Sequence, residues 1–235
     1  MNRKPFRFKQ FEIFQDQTAM KVGTDGVLLG AWANHPRPKT ILDIGTGTGL
    51  VALMVAQRFL DAIIDAVELD DDAFNQAKEN ILNSKFKDRI TIHQSAIQKY
   101  QTTQKFDLIV SNPPFFITND RVDFDARKQA RQQETLNFED LLSKTRELLS
   151  DQGKACFIIP FDLEANFLKI AADLNLFPDK IIQVKGNSTT DFKRSLISLQ
   201  AENNKCEYSS LVIELERHQY TTDYINLTKE FYLKM

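Results

Sequence analysis

The sequence has little that would staple a fold covalently or carry it into a membrane. Its two cysteines, Cys156 and Cys206, are too few for a disulfide framework and lack the paired spacing of a metal site. Cys156 sits in an apolar run and reads as a core residue. The three histidines, His35, His93 and His218, share no spacing suited to a metal or to catalysis, so each reads as structural and no metal is expected. No apolar run reaches the roughly 18 residues of a membrane helix. The opening MNRKPFRFKQ also lacks the apolar stretch of a signal peptide. The setting expected is cytoplasmic and reducing, without membrane attachment. Neither sign of charge dominates: thirty Lys plus Arg stand against thirty-two Asp plus Glu, a net charge of -2. A protein that coats nucleic acid non-specifically would be basic, because phosphate neutralisation supplies that affinity. Any such contact here has to come from local patches. Two exist, Arg3, Lys4, Arg7 and Lys9 at one end, and Arg121, Arg127, Lys128 and Arg131 in one segment.

What the chain does have is an ordinary globular composition: 235 residues, 42% apolar and 26% charged, enough for one α/β-sized domain. Eighteen Phe are the one excess. Most suit core filling, while Phe6, Phe8, Phe115, Phe116 and Phe124 stand in polar company where stacking is open. No repeat, low-complexity tract or linker divides the chain, so residues 1–235 read as a single domain.

Short apolar runs alternate with amphipathic stretches. Strands are expected at 40–44, 63–69, 90–93, 106–110, 154–159 and 180–184, and helices at 25–32, 50–59, 71–84, 138–149 and 163–174. Such alternation implies right-handed crossovers and a mostly parallel sheet covered by helices on both faces. After Val184 the helical pattern stops. Runs at 195–199 and 211–216 predict an antiparallel C-terminal addition to a sheet expected to be seven-stranded, before a closing helix over 222–233. Residues 6–13 alternate weakly, like one strand. Ligands of such a sheet bind beyond the carboxyl ends of its strands.

Asp43-Ile44-Gly45-Thr46-Gly47-Thr48-Gly49 joins the first strong strand to its helix. Glycines there allow a sharp bend and a ligand close to the backbone. A dinucleotide site would space them Gly-x-Gly-x-x-Gly for a pyrophosphate. Here the spacing is Gly-x-Gly-x-Gly, and Asp43 would repel an anion but suit a cationic ligand such as S-adenosylmethionine. The next strand ends Val67-Glu68-Leu69-Asp70, where Glu68 can accept two hydrogen bonds from ribose hydroxyls, as dinucleotide folds also arrange.

DIGTGTG followed by VELD resembles the cofactor half of the class I, Rossmann-like methyltransferases that use S-adenosylmethionine. The resemblance implies a cofactor site built from Asp43, Gly45, Thr46, Gly47, Gly49, Glu68 and Leu69. In that family the third strand often ends in an Asp that holds the adenine amino group. This sequence has Gln94-Ser95-Ala96 there, so Ser95 or the backbone at Ala96 has to replace it.

The run Phe106–Val110 leads through Ser111 into Asn112-Pro113-Pro114-Phe115. Two prolines fix the backbone and hold the carbonyls outward. The Asn112 amide oxygen and the Pro113 carbonyl could then accept both hydrogens of an exocyclic amine, with Phe115 stacked on its ring. Drawing those hydrogens out of plane aims the nitrogen lone pair at a methyl donor, so catalysis would rest on positioning and preorganised charge. The motif resembles that of methyltransferases acting on adenine, guanine or a glutamine amide. A non-catalytic binding module on the same fold is the reading from a different class.

MKVGTDGVLLGAW, at 20–32, reads physically as a Gly-flanked turn opening an apolar helix, with Thr24 or Asp25 placed to cap it. It also resembles the tRNA(Val) adenine-N6-methyltransferases that modify the adenine 3′ to the anticodon, as does the ending at 219–233. The resemblance spans nearly the whole chain. It implies that Lys21, Gly23 and Thr24 cover the methionine end of the cofactor, and that Asn112 touches the cofactor as well as the substrate. It further implies tRNA as the partner, contacted by Arg3, Lys4, Arg127, Lys128 and Arg131, with one adenine extruded onto Phe115. The division expected is an extension and pre-strand helix at 1–38 over the cofactor, a binding and catalytic core at 39–160, and the remaining sheet with a closing helix at 161–235, acting as a monomer. A glutamine-amide enzyme usually has Tyr in place of Phe115 and a longer helical N-terminal part. A ribosomal-RNA guanine enzyme can share NPPF and stays open.

Overall fold

A computed structural model of the chain describes residues 4–18, 21–114 and 137–234. Within them the strands are β1 (Phe6–Arg7), β2 (Glu12–Ile13), β3 (Thr40–Ile44), β4 (Ile63–Glu68), β5 (Ile90–Gln94), β6 (Phe106–Ser111), β7 (Leu149–Pro160), β8 (Phe177–Lys185), β9 (Arg194–Gln200), β10 (Glu207–Val212), β11 (Glu214–Glu216) and β12 (Gln219–Tyr220). The described α-helices are α1 (Thr24–Trp32), α2 (Leu50–Arg58), α3 (Asp71–Leu82), α4 (Phe138–Leu148), α5 (Glu164–Asp173) and α6 (Thr222–Thr228). Eight strands form one sheet in the order β10-β8-β9-β7-β6-β3-β4-β5. All run parallel except β9, which is antiparallel to both β7 and β8.

The α/β class and the mostly parallel sheet are as the alternating pattern requires. β3 is buried at four of its five residues because helices cover both faces. Along β7 and β9 the side chains divide between two cores. Cys156, Ile158 and Leu196 face the one that contains α1 and α2, while Phe157, Ile159, Ile197 and Leu199 face the one that contains α4 and α5 residues. α2 is apolar nearly all round, and eight of its nine residues are buried. α3 begins where Asp70 accepts a hydrogen bond from the Ala73 amide, with Asp71 and Asp72 in the first turn favoured by the helix dipole.

Several expectations need correction. The sheet has eight strands rather than seven, because β10 adds outside β8 and parallel to it. Its first four residues, Glu207 to Ser210, are exposed, so an edge strand hides behind a polar sequence. The strand expected over 211–216 is divided: Leu211 and Val212 end β10, and Glu214–Glu216 turns away to pair with β12. The closing helix stops at Thr228, since Phe231 and Tyr232 return to the N-terminal segment, where the Phe231 carbonyl accepts from the Lys9 amide at 2.8 Å. Residues 6–13 are not one strand but a small hairpin of β1 and β2. Phe8 is buried there and stacks on Phe11 and Tyr232, so it fills core instead of waiting for a partner. α1 is capped by neither Thr24 nor Asp25. Gly23 takes the cap position without a side-chain bond, and Asp25 pairs with Arg194 at 2.7 Å.

Candidate active site

Parallel pairing brings the two informative loops together. Ile44, the last residue of β3, is the register partner of Ser111, the last residue of β6. The Ser111 hydroxyl donates to the Ile44 carbonyl at 2.8 Å. Gly45 and Asn112 therefore leave adjacent strands at the same height. Pro113 is buried and Pro114 exposed, so the diproline corner is seated on one side and open on the other.

The glycine loop is braced from below. One carboxylate oxygen of Asp43, 1% exposed, accepts from the Thr46 hydroxyl at 2.6 Å and the Ala52 amide at 3.0 Å. Burial, only partly offset by those two bonds, pushes the Asp43 carboxyl up to about 7. The residue expected to attract a cationic ligand is one that already ties the strand, the loop and the helix together. Gly45 and Gly47 have φ of +70° and +59°, and a Cβ added at either would meet nothing within 4 Å. The bend needs glycine for its backbone angles, and the space above it is an open cradle. Gly49 completes the bend as the left-handed N-cap of α2.

Glu68 ends β4 beside this cradle. One of its oxygens accepts from the Gly47 amide at 2.8 Å, the other from the amides of Leu69 and Asp70 at 2.9 and 3.0 Å. Leu69 is exposed at the strand end. The Ser95 amide donates to the Glu68 carbonyl at 2.9 Å, and the Ser95 hydroxyl donates to the Ala96 carbonyl, also at 2.9 Å. Ser95 and Ala96 thus border the same edge of the sheet, with the hydroxyl directed to its neighbour.

Two residues not singled out from the sequence tie the N-terminal segment to this edge. Asn80, buried in α3, accepts from the Phe14 amide and donates to the carbonyls of Phe14 and Thr48, each at 2.9 Å. Gln76, one turn earlier, accepts from the Gln17 amide at 3.1 Å. The N-terminal segment is thereby tied along α3 to the glycine loop. From it, the chain reaches exposed Lys21, Gly23 and Thr24 at the mouth of α1. The signal available was two amides on the apolar side of an amphipathic helix. Buried amides need partners, and their spacing of four puts them on one face.

Lys4, Arg7 and Lys9, the described residues of the N-terminal basic patch, are not brought to this edge. Arg7 pairs with Glu12 at 2.9 Å, the Lys9 ammonium donates to the Lys229 carbonyl at 2.6 Å, and Lys4 is exposed on the same hairpin. The hairpin packs against Phe86, beyond the C-terminal end of α3 and so at the opposite end of the sheet. Arg3, Phe115, Phe116, Arg121, Phe124, Arg127, Lys128 and Arg131 lie outside the described residues. His93 bonds Asp65 at 2.6 Å and packs on Tyr100, in keeping with a structural role.

Residues 17–168 match the family described as Methyltransferase small domain. The tRNA1(Val) (adenine(37)-N6)-methyltransferase of Christiangramia forsetii is 45% identical over the whole of both chains. That of Flavobacterium psychrophilum is 47% identical over 98% of this chain and all of its own. The chain belongs to this methyltransferase family. The fold agrees: a structure described as a predicted O-methyltransferase from Agrobacterium tumefaciens superposes with a TM-score of 0.70 at 17% identity, over 88% of this chain and 96% of that one. At that identity the likeness concerns architecture alone.

Proposed function

We propose that this methyltransferase transfers a methyl group from S-adenosylmethionine to the N6 amino group of adenine 37, next to the anticodon of tRNA(Val). The observation that carries the reading is the pairing of Ile44 with Ser111, which sets an open glycine cradle beside the Asn112 corner. The full-length relatives bearing that activity in their names supply the substrate.

The residues present fit the cofactor. An unfilled cradle at Gly45 and Gly47, backed by Asp43 and Thr46 and ending in the Gly49 cap, suits its amino-acid portion, and Glu68 and Leu69 suit its ribose. Ser95 and Ala96 would border its base, and Lys21, Gly23 and Thr24 its carboxylate. When bound, S-adenosylmethionine supplies an electrophilic methyl group. The protein's part is to present the nucleophile. The Asn112 amide oxygen and the Pro113 carbonyl accept the two amino hydrogens, Pro114 fixes the corner, and Phe115 stacks on the purine. With both hydrogens held, the nitrogen lone pair turns out of the ring plane and points across to the cradle. As the nitrogen–carbon bond forms, the methyl–sulfur bond would break with its electron pair left on sulfur; the nitrogen, then cationic, releases a proton to solvent, so no strong base is needed beforehand.

Arg127, Lys128 and Arg131 are proposed to contact tRNA phosphates near the target adenine, and Arg3 and Lys4 phosphates farther along the tRNA, away from the site edge. The whole chain is read as one catalytic domain working as a cytoplasmic monomer without a metal. No described helix is long and apolar enough to cross a membrane. The test is incubation of the purified protein with S-adenosylmethionine and a tRNA(Val) transcript, followed by nucleoside analysis. N6-methyladenosine is expected, and is lost when A37 is replaced by G. N2-methylguanosine, or methyl transfer only to a protein glutamine, would overturn the assignment.

A further inference from the structure

The carboxyl edge of the sheet has a second half that the site described above does not use. The glycine loop, Glu68 and Ser95 leave β3, β4 and β5 on one side of Asn112. On the other side the strand ends are Pro160 of β7, Arg194 of β9 and Lys185 of β8. A nucleic acid that brings one base to Asn112, with the cofactor half occupied, can extend along these.

Two aromatic rings stand there. Phe161 and Phe192 lie with centroids 5.4 Å apart and planes inclined by 44°. Both are half-buried, and neither belongs to either hydrophobic core. The Lys185 ammonium sits 5.5 Å from the centre of the Phe192 ring and donates to the Ser188 carbonyl at 3.0 Å. The connection at 186–193 is held in one shape. The Asn187 side-chain oxygen accepts from the amides of Thr189 and Thr190, the Lys193 amide donates to Val184 at 2.8 Å, and the Phe161 amide donates to the Lys193 carbonyl at 3.1 Å. By strand spacing and rise, the pair stands on the order of 10 Å from Asn112.

We propose that Phe161 and Phe192, with Lys185 and exposed Lys193 of the same hairpin, form a stacking platform for the RNA nucleotide flanking the methylated adenine. Rings kept at a polar surface beside ammonium groups suit a base and its phosphate. Every base offers a π face, and cations nearby attract the backbone. The ordered hairpin means that little freedom is lost when the strand arrives. This inference rests on the RNA methyltransferase reading and adds to it where the rest of the loop lies.

The experiment measures anisotropy of a labelled anticodon stem-loop RNA with the full chain and S-adenosylhomocysteine, at fixed salt. Phe192→Ala should weaken binding roughly tenfold, in the range measured for loss of one stacked base, while Phe192→Tyr holds it. The loss should appear in KM for RNA rather than in kcat. An abasic site beside the target adenine should cost the wild type the same factor and Phe192→Ala nothing further. Lys193→Gln should lower the salt slope by about one. Unchanged binding by Phe192→Ala, when the wild type binds and methylates, overturns the platform and leaves the activity standing. RNA binding without adenine methylation overturns the activity, and the platform is then judged on anisotropy alone. Failure of the wild type to bind any RNA removes both. Should Phe192→Ala not fold, the abasic RNA on wild-type protein decides: no loss with it overturns the platform.

Discussion

The two halves of the sheet's carboxyl edge are built on different principles. The cofactor half is tied from beneath by buried polar groups. Asp43 holds the loop to α2, Glu68 spans to Gly47, and Asn80 ties the N-terminal segment to Thr48. The half beyond Asn112 carries exposed or half-buried rings and ammonium groups above a sheet whose core has already closed. A small ligand of fixed shape calls for a preformed cradle, whereas a polymer calls for a surface that receives it in passing. The difference teaches that changes on the first half should be read in cofactor affinity and stability, and changes at the junction in turnover.

Asn112→Ala tests the junction and should have the largest effect. Turnover should fall about 10²-fold or more with cofactor affinity nearly unchanged, as for an interaction made mainly in the transition state. Calorimetric titration with S-adenosylhomocysteine alongside single-turnover rates would check it, and an equal loss of cofactor binding would merge the halves. Next, Gly47→Val places a β-branched residue at φ +59° in the cradle. Cofactor affinity should fall about thirtyfold because the branched side chain fills the cradle, while the strained backbone angle should cost the fold about 1–2 kcal/mol. Titration giving wild-type affinity would mean that the cradle is not the site.

Asn80→Ala removes three hydrogen bonds and leaves backbone groups of Phe14 and Thr48 without their partner. A loss of about 2 kcal/mol is expected, seen as a melting temperature lower by about 6 °C, together with weaker cofactor binding. A fall in stability alone would separate the N-terminal segment from the cofactor half. Asp43→Asn should give the smallest change. The Asp43 carboxyl is raised in the folded state from an ordinary value of 3.8 to about 7, so between those values the folded protein holds a proton that the unfolded chain has released. Its contribution is present in full below about pH 4 and is lost as pH rises through 7. The asparagine variant keeps an oxygen for Thr46 and Ala52 but should show a flatter decline of urea midpoint from pH 5 to pH 8. A decline parallel to wild type would assign that pH dependence to other groups.

Much of this was legible in the residues, because the features concerned are local. The bend at Gly45 to Gly49 and the rigid corner at Asn112 to Pro114 are fixed by backbone freedom within a few residues, and the apolar periods mark β3, β6 and α2. What escaped was set by distant partners. β10 is polar along its exposed length and becomes a strand only because β8 offers an edge. The helix expected to run to residue 233 ends early because Phe8 and Lys9 claim Phe231 and Tyr232. Asp25 resembled a cap until Arg194, 169 positions away, took its carboxylate. Phe161 and Phe192 carry no motif at all, and the pairing of β7 with β9 brings their rings together.

The most direct test of the central claim is a crystal structure of the chain with S-adenosylmethionine and an adenine-containing RNA loop. The account predicts the cofactor in the Gly45–Gly47 cradle, its sulfur facing Asn112, and the adenine amino group held between the Asn112 side chain and the Pro113 carbonyl. A cofactor seated elsewhere, or one whose sulfur turns away from Asn112 with no room for a purine, would contradict it.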